Sequence, residues 1–99
     1  MIVLIAAFKA KTGKEMELEQ TLKGMIPEVQ NEAGTIMYIL NRSAADNGQF
    51  VFYEMYQDKA ALEFHSTTPY FQELLKNIDG LVVEDPQIDF YEDIASIRR

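Results

Sequence analysis

The chain contains one histidine, His65, five tyrosines and no cysteine among its 99 residues. A lone imidazole, with an ordinary pKa of about 6.5, suits proton removal near neutral pH. Two readings of His65 stand side by side. It is a general base in an apolar pocket, or a core histidine satisfied by a backbone carbonyl or a tyrosine hydroxyl. Ser66 adjoins it, but neighbours on a helix diverge by about 100°, so the two do not form a nucleophile–base pair. The absence of cysteine excludes disulfides, iron–sulfur clusters, thiolate zinc sites and cysteine nucleophiles. A single histidine excludes a metal site built on several imidazoles. The acidic residues Glu84, Asp85, Asp89, Glu92 and Asp93 have no regular ligand loop and read as a solvated strand edge that discourages aggregation. No glycine-rich phosphate loop, dinucleotide fingerprint or nucleophile elbow occurs.

The elements that position His65 follow from caps and periodicity. Asp58 offers an N-cap to a helix running from Lys59 to about Ser66. Within it His65 stands four residues after Ala61 and three after Leu62, on their inward face. Thr68-Pro69 opens another helical turn where proline is tolerated, with Phe71, Leu74, Leu75 and Ile78 on one face. Opposite them a hairpin is predicted from strands Thr35–Arg42 and Gln49–Tyr56, joined through Asp46-Asn47-Gly48. It brings Tyr38, Tyr53, Glu54 and Tyr56 toward the histidine. The aromatic residues around the hairpin and the second helix make ordinary core, or a cavity suited to a flat aromatic ligand.

Upstream, residues 2–11 read as a strand, with Ile2, Leu4, Ala6 and Phe8 on one face and Val3, Ile5 and Ala7 on the other. Residues 14–33 turn to helical spacing, with Leu18, Leu22, Met25, Ile26, Val29 and Ala33 in one stripe. Glu15, Glu17, Glu19, Glu28 and Glu32 fall mostly on the remaining arc. Pro27 predicts a break near Lys23–Gly24, and Gly34 ends the helical run. A last strand is expected between about Val82 and Ile94. The resulting order is that of an α+β, ferredoxin-like split βαβ fold: a four-stranded antiparallel sheet with the helices on one face. The strands are apolar on both faces, whereas a sheet with one wet face alternates apolar with polar. The uncovered face therefore predicts a homodimer through the sheets, a dimeric α+β barrel, with another protein as the alternative cover.

Composition narrows the partners. Sixteen acidic against nine basic residues give a net charge of −7, the wrong sign for nucleic acid or anionic lipid. No apolar stretch approaches the roughly 20 residues that span a bilayer. The start Met1–Phe8 lacks the pattern of a signal peptide. One domain over residues 1–99, soluble and cytoplasmic, is expected.

Several stretches together resemble the antibiotic biosynthesis monooxygenase domain. They are Glu32-Ala33-Gly34-Thr35, Tyr38-Ile39-Leu40-Asn41-Arg42-Ser43, Phe50-Val51-Phe52-Tyr53-Glu54-Met55-Tyr56 and, most specifically, Asp58 through Phe71. The resemblance runs from about Ile2 to Tyr91. It implies a dimeric α+β barrel and a pocket between sheet and helices, used by some members for cofactor-free oxygenation of phenols or quinols. Many members carry histidine after the Thr-Pro step, where this chain has Tyr70, and many carry tryptophan where Tyr56 stands. Haem-degrading relatives use a first-strand asparagine and a tryptophan. Here Ala6 and Ala7 occupy the strand and no tryptophan occurs.

These readings combine into an expected monooxygenase with no permanent cofactor and no metal, acting on a small aromatic or quinone-like molecule. His65 takes the phenolic proton, and Tyr38, Tyr53, Tyr56, Phe64 and Phe71 wall the cavity. Glu54 orients His65 or hydrogen-bonds the substrate, or else pairs with Arg42. Tyr70 and Arg42 complete the expected substrate-contacting set. One alternative is an isomerase or lyase on a small oxygenated metabolite; the resemblance implies a phosphorylated quorum-sensing sugar as an example, which would need cations, and Arg42 is the only arginine outside the C-terminal pair. Another is a non-catalytic ligand-binding module.

Overall fold

In the computed structural model, which describes residues Met1–Arg99, β1 (Ile2–Lys9) runs through the middle of a four-stranded sheet. It pairs antiparallel with β3 (Gln49–Tyr56) on one side and β4 (Gln87–Glu92) on the other. Strand β2 (Thr35–Arg42) completes the sheet beyond β3, giving the order β2-β3-β1-β4. The helices α1 (Glu15–Lys23), α2 (Met25–Val29), α3 (Lys59–Thr67) and α4 (Pro69–Ile78) complete the α+β, ferredoxin-like fold.

Register assigns each strand residue to a face. Glu54 lies opposite Leu4 and Tyr38, and Phe52 opposite Ala6 and Leu40. Leu4, Ala6, Phe8, Phe50, Phe52 and Tyr56 join Leu18, Leu22, Leu74 and Ile78 in the core between sheet and helices. On the other face Val3, Ile5 and Ala7 stand beside Met55, Tyr53 and Val51, and these beside Met37, Ile39 and Asn41. No helix covers that side, and Met37 and Ile39 are exposed. The expectation of strands apolar on both faces holds.

The first helical stretch departs from its predicted course. Pro27 has no N–H to offer the Lys23 carbonyl and its ring would crowd that oxygen, so the helix is cut at Gly24 into α1 and α2. The expected break is therefore present, but α2 stops at Val29 rather than running to Gly34. The chain then turns, and the 3.6-residue phase no longer applies. Ile26 and Ala33, expected inside, are exposed, while Glu32, expected on the solvated arc, is buried. The last strand, Gln87–Glu92, lies within its expected segment. Its continuous pairing begins only after Pro86, which has no N–H for the ladder, and Val82 makes an isolated bridge to Ala10.

Candidate active site

His65 sits near the end of α3, whose start is fixed by Asp58 accepting a hydrogen bond from the Ala61 N–H at 2.9 Å. Thr68 holds the junction with α4 from both sides. Its hydroxyl donates to the His65 carbonyl at 2.8 Å and accepts from the Phe71 N–H at 3.3 Å. Pro69 follows at the first turn of α4, where its missing N–H is not needed. This corner sets His65 against Phe71, with ring centroids 5.1 Å apart. Tyr38 and Tyr56 flank the imidazole from the sheet at 5.5 and 5.4 Å.

The partner of His65 is Glu32. His65 Nδ1 donates to Glu32 Oε2 at 3.0 Å and lies 3.1 Å from Oε1, with both residues about 95% buried or more. The same carboxylate accepts from the Thr35 hydroxyl at 2.9 Å and from the Tyr70 hydroxyl. Since a carboxylate only accepts, Nδ1 carries a ring hydrogen, and in the neutral imidazole Nε2 then holds the lone pair. Gly34 makes this approach possible. A Cβ there would lie 2.5 Å from the Ala61 Cβ, so any larger residue pushes α3 away from the turn that holds Glu32.

A cavity of about 370 Å³ opens beside the imidazole, between the sheet and the α3–α4 corner. Its walls are mainly apolar: Ala6, Phe52 and Leu74 are buried, Leu62 and Phe71 half-buried, and Ile88 and Phe90 of β4 stand at its exposed side. Its polar members include His65, Tyr38 and Glu54. Burial pushes the Glu54 carboxyl up to about 7, and the nearby Glu32 charge adds to this, while the hydrogen bond donated by Tyr56 acts in the opposite direction. Burial, followed by the Glu54 charge, raises both Tyr38 and Tyr56 far above the ordinary phenol range, so both remain phenols. For Tyr70, burial and then its bond to Glu32 push the hydroxyl up to about 12.

The structure thus joins His65, Glu54, Tyr38 and Phe71 around one cavity and separates the other expected site residues from it. Tyr53 projects from the opposite face of the sheet, as its pairing with Ile5 and Ile39 requires. Phe64 is 59% exposed, because it is one helical step from His65 and points off α3 into solvent. Arg42 shares the helix-covered face but is drawn to Glu19 of α1, so it pairs neither with Glu54 nor with the cavity. Tyr56 is fully buried behind the site, where it donates to Glu54. Tyr70 backs Glu32 instead of lining the cavity. Glu54 does not orient His65; Glu32 does. The acidic residues of the last strand region are exposed, and nowhere do three or more His, Asp or Glu side chains converge to hold a metal ion. No helix is long and apolar enough to cross a membrane.

The ferredoxin-like fold that carries this site agrees with the family comparison. Residues 1–77 match the family model described as antibiotic biosynthesis monooxygenase, and the chain belongs to that family. Among its relatives, a Bacillus subtilis protein named "Putative monooxygenase YcnE" is 33% identical over 72 residues, which make up 73% of this chain and 76% of that protein. An uncharacterized Synechocystis protein is 29% identical over 91 residues, 92% of this chain, and the chain spans 62% of that relative's length. The solved structure of PA3566 from Pseudomonas aeruginosa superposes with a TM-score of 0.89 at 30% identity, covering 95% of this chain and 94% of that one.

Proposed function

We propose that this chain is a monooxygenase that oxidises a small phenol or quinol with dioxygen and no permanent cofactor, with His65 as the general base. The observation that carries the reading is how the imidazole is held. Glu32 occupies Nδ1, and Nε2, which makes no hydrogen bond within the chain, is left for a ligand in the apolar cavity. Nε2 takes the hydroxyl proton of the substrate. The phenolate is then electron-rich enough to pass an electron to dioxygen, and the radical pair recombines at a ring carbon. The proton held on His65 goes to the outer peroxide oxygen. The O–O bond breaks, one oxygen remains as a quinone carbonyl, and the other leaves as water with the two hydrogens lost by the phenol. The substrate supplies all the electrons. Phe71 and Phe52 shield the radical pair from water, and Tyr38 lies on the polar side of the cavity.

The name of the Bacillus relative supports the reaction class, and the open apolar face supports a working homodimer joined through the sheets. The test is oxygen uptake by the purified chain with a panel of phenols and quinols. Turnover is expected to fall about 10²–10⁴-fold in His65→Ala with the fold kept. Saturable binding without oxygen uptake across the panel would replace the enzyme with a binding module.

A further inference from the structure

No lysine or arginine lines the cavity beside His65. Arg42 is held by Glu19 and Lys9 by Asp46, both outside it. The chargeable groups along its wall are His65, Tyr38, Glu54 and the exposed Glu63. A phosphate or carboxylate entering here would meet hydrocarbon and the carboxyl groups of Glu54 and Glu63, with His65, Tyr38 and Ser66 as polar neighbours but no lysine or arginine to balance its charge, and a buried ion without a charged partner is strongly disfavoured.

Glu54 is only 5% exposed. One of its oxygens accepts from Tyr56, and the other makes no hydrogen bond within the chain. Tyr56 of its own strand and Glu32 from the turn before β2 act on it directly, and Tyr38 from β2 and His65 and Glu63 from α3 share its cavity. The side chains that β1, α4 and β4 contribute to the cavity, such as Leu4, Phe71 and Phe90, are apolar. Nothing around Glu54 offsets a negative charge on it except the neutral hydroxyl of Tyr56.

We infer that the cavity takes its ligand as an uncharged molecule bearing a hydroxyl or carbonyl oxygen, and that Glu54 sets this specificity by carrying a proton and donating it as a hydrogen bond to that oxygen. This rests on the cavity being the ligand site and not on the oxygen chemistry proposed for it. Burial, which pushes Glu54 up to about 7, keeps a large share of it neutral at physiological pH. When His65 takes the substrate proton, the charge that develops on the oxygen then faces a carboxylic acid rather than a second anion. An ionised Glu54 would instead repel that charge and offer no donor.

Three probes share one ring system and differ in charge: 1-naphthol, 1-naphthoate and 1-naphthyl phosphate. Two fused rings are on the order of what a cavity of this size encloses. Isothermal titration of the whole chain with each probe is carried out between about pH 6 and 8.5, a range that brackets Glu54 and stays below ordinary phenol ionisation. Naphthol is expected to bind saturably, with affinity falling about tenfold per pH unit once Glu54 is mostly ionised, because only the protonated fraction is competent. The two anions are expected to bind at least about 100-fold more weakly throughout, as befits an uncompensated buried charge. Glu54→Gln keeps an uncharged donor at every pH, so its naphthol affinity should lose the alkaline decline.

Naphthyl phosphate or naphthoate binding as tightly as naphthol overturns the inference. So does a wild-type naphthol affinity that is flat with pH, a decline that persists in Glu54→Gln, or the absence of saturable naphthol binding. The wild-type titration needs no variant to fold. Charge discrimination without oxygen uptake on any phenol would fail the monooxygenase reading and leave this one standing. Turnover of a carboxylated or phosphorylated phenol would do the reverse.

Discussion

Glu32→Gln separates a catalytic His65 from a structural one. The native carboxylate accepts from His65 Nδ1, Thr35 and Tyr70. A glutamine offers one acceptor oxygen and an amide group that only donates. With the oxygen toward the ring, the amide donates to the hydroxyl of Tyr70 or Thr35, which rotates to accept. With the amide toward the ring, the imidazole must carry its hydrogen on Nε2, and the lone pair turns away from the cavity. The second arrangement silences the base without emptying the site.

The magnitudes follow from the same contacts. A hydrogen bond to a charged group is worth about 1.5–3 kcal/mol and a neutral one about 0.5–1.5, so each of three bonds loses roughly 1 kcal/mol. Thr35 and Tyr70 are half-buried and recover part of this from water, leaving a net loss of about 2 kcal/mol. For a domain near 100 residues that is a drop in Tm of about 8–16 °C. Turnover should fall further than stability explains, by about 10²–10⁴-fold, because a general base with the wrong tautomer contributes little. The assay is oxygen uptake per folded molecule, with imidazole nitrogen chemical shifts reporting which nitrogen carries the hydrogen. Unchanged turnover per folded molecule in a variant whose imidazole carries its hydrogen on Nε2 would show that His65 is a core histidine and refute the argument.

The remaining predictions concern stability and assembly. Burial raises Glu54 from 4.5 to about 7, so the folded chain holds a proton that the unfolded chain releases in that window, and stability falls as pH rises through it. The loss is roughly 3 kcal/mol, so Glu54→Gln should match the wild-type Tm near pH 4.5 and exceed it above pH 7; equal Tm values at high pH would contradict the assigned burial cost. Gly34→Ala places a methyl group against Ala61 and should cost about 1–3 kcal/mol while also reducing turnover, since α3 moves off Glu32. Thermal melts and oxygen uptake check it, and a silent variant would deny the close approach any role. The proposed homodimer is expected in sedimentation, and Ile39→Asp, which puts a charge on the uncovered sheet face, should convert it to monomer or unfold it; an unchanged dimer would mean that another surface mediates assembly.

Much of the scaffold was legible because its signals are local. Asp58 and the Thr68-Pro69 step state where α3 and α4 begin, and Pro27 states where the first helix must break. Glu32 was not read as a site residue, because its place was extrapolated from a helical phase that ends at Val29. A signal did exist. A carboxylate just beyond a helix C-terminus faces the negative end of the dipole, a poor position unless it is tied down elsewhere. Tyr53 was legible in principle: strand side chains alternate, so it cannot share a face with both Glu54 and Tyr56. Phe64 is excluded by the same angular step that separates Ser66 from His65. Arg42 is different in kind, since its face is set by the strand but its partner Glu19 comes from a helix distant in sequence.

Strand β3 shows how one stretch of eight residues serves two purposes without compromise. Phe50, Phe52, Glu54 and Tyr56 enter the covered side, where they make core, line the cavity or support the carboxyl group in it. Val51, Tyr53 and Met55 face the open side with Ile5, Ile39 and Met37. Because the side-chain period is two, a change on one face leaves the other face's side chains in place, whereas a one-residue slip in register exchanges them all. A slip would carry Glu54 onto the apolar open face and Tyr53 into the cavity, losing core and site together. The apolar character of both faces does not discourage such a slip, since neither set of side chains is predominantly polar. Shape does discourage it: Phe50, Phe52 and Tyr56, each 1% exposed or less, fill the core between sheet and helices, and Val51, Tyr53 and Met55 do not match their volumes. The register that fills the core is thus also the one that sets Glu54 on the cavity wall.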